Sequence, residues 1–393
     1  MPRSGLLDGM RGYFLVFMLL NHLVFQGSFW LVQINHRQLA FVEDAQGFIF
    51  LSGLLVGLVQ GRRYLKAGVA AMRSSLLHRI LELWVYTTGL ISLGWLLRDT
   101  LPGGMAAWKN WLGSAGFADL PRLAGMLTLV FQPTFLDILP QYIVYLSAGL
   151  LVIPLILKGR WPLVMTVSGL LWLAAQLGLN RVLSAPIHGM FLASDGQGLR
   201  VAFDVFGWQI VFVTGMVLGG LTVQKKIDWS QVFRPDRLVL PALALLVVAV
   251  FAPLRVTTAW GWMPGEVLRT FSPFDTRSNF SLVYLVNFTA LALLVTWLIL
   301  AGPACEKRWI RRLAIGLRWL FSLAPLRLLG RHSLQVYAWH VVLVYGVRYA
   351  DSVWHFATQV EKTAVAAVAL ALLYLPALWR ERGAAASQAG VAR

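Results

Sequence analysis

The chain is poor in charged residues and in cysteine. Charged residues make up 13% of its 393 residues and hydrophobic residues 58%, whereas roughly a quarter of a soluble domain is charged. This deficit argues against a soluble cytosolic enzyme. The single cysteine, Cys305, excludes a disulfide framework and a cysteine-based metal cluster. The N-terminus lacks the short apolar run and the small-residue cleavage site of a signal peptide.

The catalytic motifs of common soluble enzymes are also missing. The sequence has no G-x-S-x-G nucleophile elbow, no Walker loop, no dinucleotide-binding G-x-G-x-x-G and no zinc-binding H-E-x-x-H. We therefore expect no metal and no tightly bound cofactor. No repeat of fixed period is visible, and no loop is long enough to hold a soluble domain.

Long apolar stretches are present instead. A helix needs about 20 mostly apolar residues to cross a bilayer, and ten stretches meet or nearly meet that length. They are residues 12–30, 47–60, 80–97, 141–157, 162–178, 205–222, 238–254, 281–301, 333–347 and 363–379. The sequence predicts an all-α, polytopic membrane helix bundle of about ten transmembrane helices. We expect one membrane domain over 1–380 and a disordered cytoplasmic tail over 381–393.

The formal net charge is +17, and the charged residues are distributed unevenly between the two sides of the predicted spans. Of the 34 Lys and Arg, 23 fall between stretches on the side of the N-terminus and 11 on the other side, while acidic residues show the opposite bias. The positive-inside rule then predicts that both termini are cytoplasmic. A nucleic-acid partner would need one exposed basic face, so we assign the surplus to orientation and to contact with the lipid bilayer. The basic, aromatic segment 303–331 predicts an amphipathic helix on the cytoplasmic headgroups.

Ionisable side chains inside a bilayer are costly and therefore point to function. Three lie within the predicted spans: His22, Glu82 and His340. An imidazole, with an ordinary pKa of about 6.5, can act as a general base near neutral pH. For His340, packing in a bundle core is as consistent with the sequence as a role in a site. Glu82 can simply pair with Arg79 three residues earlier.

The first stretch combines His22 with an arginine at a suggestive spacing. Arg11 lies eleven residues earlier, which in a helix is three turns plus about 20°, or roughly 16 Å along the same face. An arginine at the headgroup level can hold a phosphate bidentately. A base deeper on that face would then reach the far end of a long phosphorylated ligand. A packing histidine with a snorkelling arginine is the alternative, and we expect Asp8 to orient Arg11.

Further candidates lie near the second stretch. Its small residues, Gly53 and Gly57 among them, predict close helix contact, while Ser52 can offer a hydroxyl to a buried ligand. Asp44, on the outer side, can orient His22, bind an acceptor or merely be solvated. The inner segment that follows holds Arg73 and Arg79 without an acid, which suits an anionic ligand, although positive-inside bias explains most of it. Arg331 lies at the entry to the ninth stretch, beside Gly330 and Ser333, which can serve as a helix start.

Five sequence blocks resemble a known family. LLDGMRGYFLVFMLLNH resembles the first-span signature of integral-membrane acyltransferases of the acyltransferase-3 kind, in which an arginine is followed by ten residues and a histidine. AQGFIFLSGLLVG, DILPQYIVYLSAGLLV, FGWQIVFVTGMVLGG and LGRHSLQVYAWHVVL resemble, in order, blocks of its OpgC branch. The resemblance covers about residues 5–380.

The resemblance implies a ten-span enzyme in a bacterial inner membrane that takes an acyl group from cytoplasmic acyl-CoA. By likeness to the succinyltransferases of osmoregulated periplasmic glucans, the donor is succinyl-CoA and the acceptor a hydroxyl of a periplasmic or envelope glycan. Trp339 is bulkier than this block leads us to expect, which leaves the acyl group open. A transporter or flippase without chemistry is the alternative function. The resemblance assigns His22 as base or acyl carrier, Arg11, Arg73 and Arg79 to the CoA side, and Asp137, Tyr142 and Gln209 to acceptor or acyl group.

Overall fold

The computed structural model describes residues 5–33, 36–200 and 202–391, and no β-strand occurs in these three ranges. Three short 3-10 turns, at Trp30–Gln33, His36–Gln38 and Gly302–Ala304, accompany the α-helices. The α-helices are α1 (Gly5–His22), α2 (Asp44–Thr100), α3 (Gly104–Leu112), α4 (Leu120–Leu127), α5 (Ile138–Leu157), α6 (Trp161–Gln176), α7 (Arg181–Asp195), α8 (Val205–Val223), α9 (Trp229–Val232), α10 (Val239–Ala259), α11 (Gly265–Phe271), α12 (Leu282–Leu300), α13 (Arg308–Ser322), α14 (Ala324–Arg331), α15 (Ser333–Trp354), α16 (Gln359–Leu372) and α17 (Leu375–Val391).

Several of these helices are long and apolar enough to cross a membrane. In the described part of the chain six qualify: α2, α5, α8, α10, α12 and the segment Gln359–Gly383 that begins with α16. Two bent pairs, α6 with α7 and α13 with α14, raise the number to eight if each pair is one span. The expectation of an all-helical, multi-pass membrane protein is confirmed at this coarser level.

Helix α2 accounts for part of the difference from ten spans. Its 57 residues would extend about 85 Å at 1.5 Å per residue, far more than a hydrocarbon core of about 30 Å. The helix is broken at Gly68, whose backbone has φ 80° and ψ 179°. Both predicted stretches 47–60 and 80–97 therefore lie within α2, on opposite sides of this break.

The first predicted stretch ends earlier as helix than its hydropathy suggests. We expected a span over 12–30 with His22 near its middle, but α1 ends at His22. The residues that follow are still apolar, and Leu23 and Phe25 are buried. The backbone after His22 is no longer helical, and two buried charged side chains, described below, hydrogen-bond peptide groups of residues 26 and 28.

The Cα positions divide the chain into two compact units. Unit 1 contains residues 1–48, 233–259 and 289–393, and unit 2 contains residues 49–232 and 260–288. Each unit is assembled from stretches distant in sequence. The prediction of one domain over 1–380 stays a prediction.

In unit 1, α1 packs closely against α13 and α14. Gly9 lies against the backbone carbonyl of Phe321, Gly12 against that of Leu326, and Gly330 of α14 against that of Asp8. None of these positions has room for a Cβ atom. The segment that we predicted to rest on the headgroups thus also clamps the helix that carries Arg11 and His22.

The exposed side of α13 keeps the predicted amphipathic character. Trp309 and Trp319 are exposed, whereas Ile310, Ala314 and Phe321 are buried. Further on, α17 continues to Val391, into the segment for which we expected a disordered tail. The alanine-rich composition there favours helix, and residues 392 and 393 lie outside the described ranges.

In unit 2, glycines bring α2 and α8 into backbone contact. Gly53 lies against the carbonyl of Phe212 and Gly57 against that of Met216. On α8, Gly215 and Gly219 approach the carbonyls of Phe50 and Leu54 in return. The close helix contact that the small residues of this stretch predict is present.

The predicted outer segment 98–140 is folded around two buried arginines. Arg98 donates to the carbonyls of Gly113 and Ala115 at 2.6 and 2.8 Å. Arg122 lies over the ring of Phe191 and donates to the carbonyl of Gly198 at 3.0 Å. Buried arginines with carbonyl and aromatic partners give this segment a core of its own.

Candidate functional site

The two histidines singled out in the sequence, half-buried His22 and buried His340, meet in unit 1. Nδ1 of His22, at the end of α1, lies 3.1 Å from Nε2 of His340 in α15. Their ring centroids are 5.3 Å apart, with an angle of 34° between the planes. His340 is fully buried, and its other nitrogen, Nδ1, hydrogen-bonds the backbone carbonyl of Tyr337. The pair joins residues 318 positions apart in sequence.

A second polar chain begins at the neighbouring residue. Asn21 donates from Nδ2 to Oδ2 of Asp44 at 2.5 Å, and Oδ1 of Asp44 lies 3.3 Å from Nε2 of His36. Nδ1 of His36 is 3.2 Å from the hydroxyl of Tyr13. Asp44, one of the candidates for orienting His22, thus reaches α1 through Asn21.

His36 is held inside this chain by an apolar environment. Its ring packs edge-on against Phe14 and Phe17 of α1. Burial lowers the pKa of His36 to about 4, and the neighbouring charge of Arg37 adds to the effect. The imidazole is therefore neutral near pH 7, and its contact with Asp44 joins a carboxyl to a neutral ring.

The loop that follows His22 is tied down by two buried charged residues. Asp351 of α15 accepts the backbone N–H of Gln26 at 2.7 Å and that of Phe356 at 3.2 Å. Lys362 of α16 donates from Nζ to the carbonyls of Gln26 and Ser28 at 2.7 and 3.0 Å. We call this arrangement the loop latch. It satisfies backbone groups that the end of α1 leaves without helical partners.

Arg11 lies in the first half of α1, eleven residues before His22. Its guanidinium is 5.2 Å from the centroid of the Phe48 ring, and both Arg11 and Asp8 are buried. Because α1 is helical from Gly5 to His22, the predicted separation of about 16 Å between Arg11 and His22 applies along one continuous helix. The role of Asp8 in orienting Arg11 stays a prediction.

Arg331 and Trp339 have partners away from His22. Arg331 donates to Glu381 at 2.7 Å, and His332 lies 3.0 Å from the same carboxylate. The indole of Trp339 donates to the carbonyl of Leu372 at 2.9 Å. These contacts connect α14 and α15 with α16 and α17.

Six further candidates lie in unit 2 and are described there by themselves. Arg73 is exposed, and Arg79 pairs with Glu82 at 2.6 Å. Tyr142 packs edge-on against Phe212 at 5.5 Å. Both polar atoms of the Gln209 side chain are hydrogen-bonded. The amide oxygen accepts from the Ser168 hydroxyl and the amide nitrogen donates to the Ser168 carbonyl, both at 2.7 Å.

The other two candidates in unit 2 are buried polar groups. The Ser52 hydroxyl has no hydrogen-bond partner in the described part of the chain. Asp137 immediately precedes α5 and is buried. Burial raises its pKa to about 6, although backbone hydrogen bonds and the charge of Arg277 act in the opposite direction.

The sequence analysis missed His36 and the loop latch. His36 is a lone histidine in a loop, and nothing in the hydropathy indicates that it returns to α1. Asp351 and Lys362 flank a short connection between two apolar stretches, where charges are normally solvated. Only their long-range partners, Gln26 and Ser28, reveal their role.

Among the residues that the structure describes, no group of three His, Cys, Asp or Glu could hold a metal ion.

A comparison with known proteins shows the family to which the chain belongs. Residues 3–384 match the family described as OpgC protein. The chain belongs to the OpgC family. No curated protein and no solved structure matches it.

Membership of the OpgC family covers both units and all the candidate residues. It supports an OpgC-like role in glucan modification and an acyltransferase-like enzyme. Within this OpgC-family protein, the paired histidines at the end of α1 are the part of the site with an evident capacity for proton transfer.

Proposed function

We propose that this OpgC-family protein is an O-acyltransferase that moves an acyl group from cytoplasmic acyl-CoA to a hydroxyl of a periplasmic or envelope glycan. Succinyl-CoA is the proposed donor, used as a co-substrate rather than as a bound cofactor. The observation that carries the proposal is the contact between His22 and His340, together with Arg11 in the first half of the helix that ends at His22. The proposed location is the inner membrane of a bacterium.

We propose ten spans with both termini in the cytoplasm. The break at Gly68 lets α2 supply two spans, α5, α8, α10, α12 and α16 supply five, and α1, α6 and α15 complete the ten. Helices α1 and α15 are less apolar because they carry the site itself, including Arg11, His22 and His340. In this arrangement α13 and α14 lie at the cytoplasmic surface, against the start of α1.

The donor enters from the side of Arg11. An arginine guanidinium binds phosphate oxygens through two parallel hydrogen bonds, and about 16 Å of helix separates it from His22. An extended phosphopantetheine arm has a similar reach, so phosphate contacts at Arg11 place the thioester near His22. Arg73 and Arg79 are the further candidates for the CoA side, and Arg79 would exchange its partner Glu82 for a phosphate.

His22 supplies the chemistry in either of two ways. As a base, it takes the proton of the glycan hydroxyl while that oxygen attacks the thioester carbonyl. The C–S bond then breaks, and the departing thiolate takes the proton from His22, which gives an ester and CoA. As a carrier, the imidazole itself attacks the thioester and the C–S bond breaks, which releases the CoA thiolate. The glycan hydroxyl then attacks the acyl-imidazole, the bond between the acyl carbon and the imidazole breaks, and the hydroxyl proton passes to the thiolate, which gives an ester and CoA. Both routes need an unprotonated nitrogen on His22.

The test is CoA release by the purified full-length protein in detergent, with a panel of acyl-CoAs. Water can replace the glycan hydroxyl as acceptor, so the sugar need not be known. We expect release selective for one donor and a loss of about 100- to 10,000-fold in His22→Ala, the range that general base catalysis contributes. His355→Asn is the matched control, because His355 is exposed and asparagine also tolerates its positive φ of 50°.

The outcomes separate the enzyme from a transporter. Release that is equal in wild type and His22→Ala contradicts the proposed role of His22. The absence of both release and succinyl-CoA binding, with the protein shown to be folded, overturns the acyltransferase and favours a transporter or flippase.

A further inference from the structure

Two ring nitrogens face each other between α1 and α15. His22 Nδ1 and His340 Nε2 are 3.1 Å apart, a hydrogen-bond distance. One of the two nitrogens must therefore carry a proton and the other a lone pair. Which is which decides where the lone pair of His22 lies, and hence which of its nitrogens can react.

The backbone of α15 settles this choice. His340 Nδ1 contacts the carbonyl oxygen of Tyr337, three residues earlier in the same helix. A carbonyl can only accept, so His340 Nδ1 carries a proton. The ring is fully buried, which favours the neutral form, and in a neutral ring Nε2 then holds the lone pair. His340 Nε2 therefore accepts, and His22 Nδ1 donates.

We propose that His340 is a positioning residue that fixes His22 as the Nδ1-protonated tautomer and thereby makes Nε2 its reactive nitrogen. This inference rests on the proposed function and adds to it the identity of the reacting atom. The acceptor at Tyr337 is its backbone carbonyl, so the helix itself sets which nitrogen of His340 carries the proton. The Tyr337 ring also packs against the His340 ring, with 4.7 Å between the ring centroids. In this arrangement the neutral imidazole of His340 holds His22. Many enzymes use a carboxylate to hold a catalytic histidine.

The same geometry serves both forms of the reaction. As a base, His22 receives the hydroxyl proton on Nε2, and the resulting positive charge is stabilised because Nδ1–H donates to the lone pair of His340. The proton on Nε2 then passes to the thiolate, and both rings return to their starting state. As a carrier, His22 bonds the acyl carbon through Nε2, and Nδ1 keeps its hydrogen bond to His340.

A direct test is ¹⁵N NMR of the full-length protein with labelled histidine, which distinguishes a protonated ring nitrogen from one with a lone pair. The chain has seven histidines, and the signals absent from His22→Gln identify those of His22. We expect a protonated Nδ1 and an unprotonated Nε2 for His22 in the wild type. Protonation of His22 on Nε2 instead would overturn the inference, and this readout requires no activity.

Kinetics of two variants provides the second test. His340→Leu removes the group that accepts the hydrogen bond from His22 Nδ1. We expect kcat for CoA release to fall about 10- to 100-fold, with KM for acyl-CoA unchanged. Losses of this size follow when a residue that orients a metal-binding histidine is removed. In His340→Gln the side-chain carbonyl can accept from His22 Nδ1, so we expect much of kcat to return. His355→Asn again serves as the control.

The tests distinguish this inference from the proposed function. If the wild type releases CoA, His22→Ala does not, and His340→Leu keeps the wild-type rate and the wild-type tautomer of His22, only the positioning role is wrong. If His340→Leu fails to fold, the wild-type NMR spectrum and His340→Gln still decide. A rise in KM with unchanged kcat in His340→Gln would assign His340 to substrate binding and contradict the inference.

Discussion

Asp351 accepts the backbone N–H of Gln26 at 2.7 Å, four residues after His22. With Lys362 it forms the loop latch, which holds the chain where α1 ends. We expect Asp351→Leu to lower the thermal stability of the protein, because it removes the hydrogen bonds from the N–H groups of Gln26 and Phe356 to a buried carboxyl group, each worth about 1 kcal/mol. We also expect kcat for CoA release to fall, since the end of α1 carries His22. Thermal unfolding and CoA release in the same detergent measure the two effects.

Ser352→Ala is the control for Asp351→Leu. Ser352 is the next residue of α15, and its hydroxyl bonds within its own helix, to the carbonyl of Tyr349. An Asp351→Leu variant as stable and as active as Ser352→Ala would show that the latch does not position the end of α1.

The helical membrane architecture could be read from the sequence because its signals are local. The length of an apolar stretch predicts a span. An ionisable residue within such a stretch can be recognised without knowing its partner, and His22 and His340 were each recognised in this way. Their mutual contact could not be predicted, since it depends on how α1 and α15 pack. The same holds for the end of α1 at His22. Hydropathy continues past it, and the residues that hold the following loop, Asp351, Gln359 and Lys362, are distant in sequence.

The glycines where α1 packs against α13 and α14 give a second prediction. A Cβ at Gly9 would collide with the carbonyl of Phe321, and one at Gly330 with the carbonyl of Asp8. Because the obstructing atoms belong to the backbone, the helices must move apart. We expect Gly9→Ala and Gly330→Ala each to destabilise the protein by about 1–3 kcal/mol, as is typical of overpacking. The loss appears as a lower Tm.

Gly316→Ala is a matched control for these variants. Gly316 lies within α13, and a Cβ there would meet no atom within 4 Å. Alanine has the higher helix propensity, so we expect an unchanged or slightly higher Tm. A similar loss of stability in all three variants would mean that the close contact with α1 is not the cause.

Asp137 gives a prediction about pH. Burial raises its pKa to about 6, from an ordinary value of 3.8, so the folded protein binds the proton more tightly than the unfolded chain. The contribution of Asp137 to the free energy of unfolding therefore falls as pH rises from about 4 to 6. Above that range the carboxyl group is ionised in both states, and the contribution stays at its lower value. Asp137→Asn lacks this titration.

Thermal unfolding between pH 4 and 8 tests the sign of this effect. The difference in Tm between Asp137→Asn and the wild type should shift in favour of the variant as pH rises through that window, and then level off. The subtraction removes the titration of all other groups. A difference that is constant with pH, or that shifts in favour of the wild type, would contradict a raised pKa at Asp137.

Arg11 gives a prediction that separates donor binding from chemistry. If its guanidinium holds a phosphate of CoA through two parallel hydrogen bonds, Arg11→Lys keeps the charge but loses the paired geometry. We expect KM for acyl-CoA to rise about tenfold, equivalent to about 1.4 kcal/mol, with a smaller effect on kcat. Arg237→Gln is the control, because Arg237 is exposed in a segment predicted to be cytoplasmic. If both variants raise KM equally, general attraction of the anionic donor is sufficient and Arg11 has no specific contact. If Arg11→Lys lowers kcat alone, the arginine acts on the position of His22 along α1 rather than on the donor.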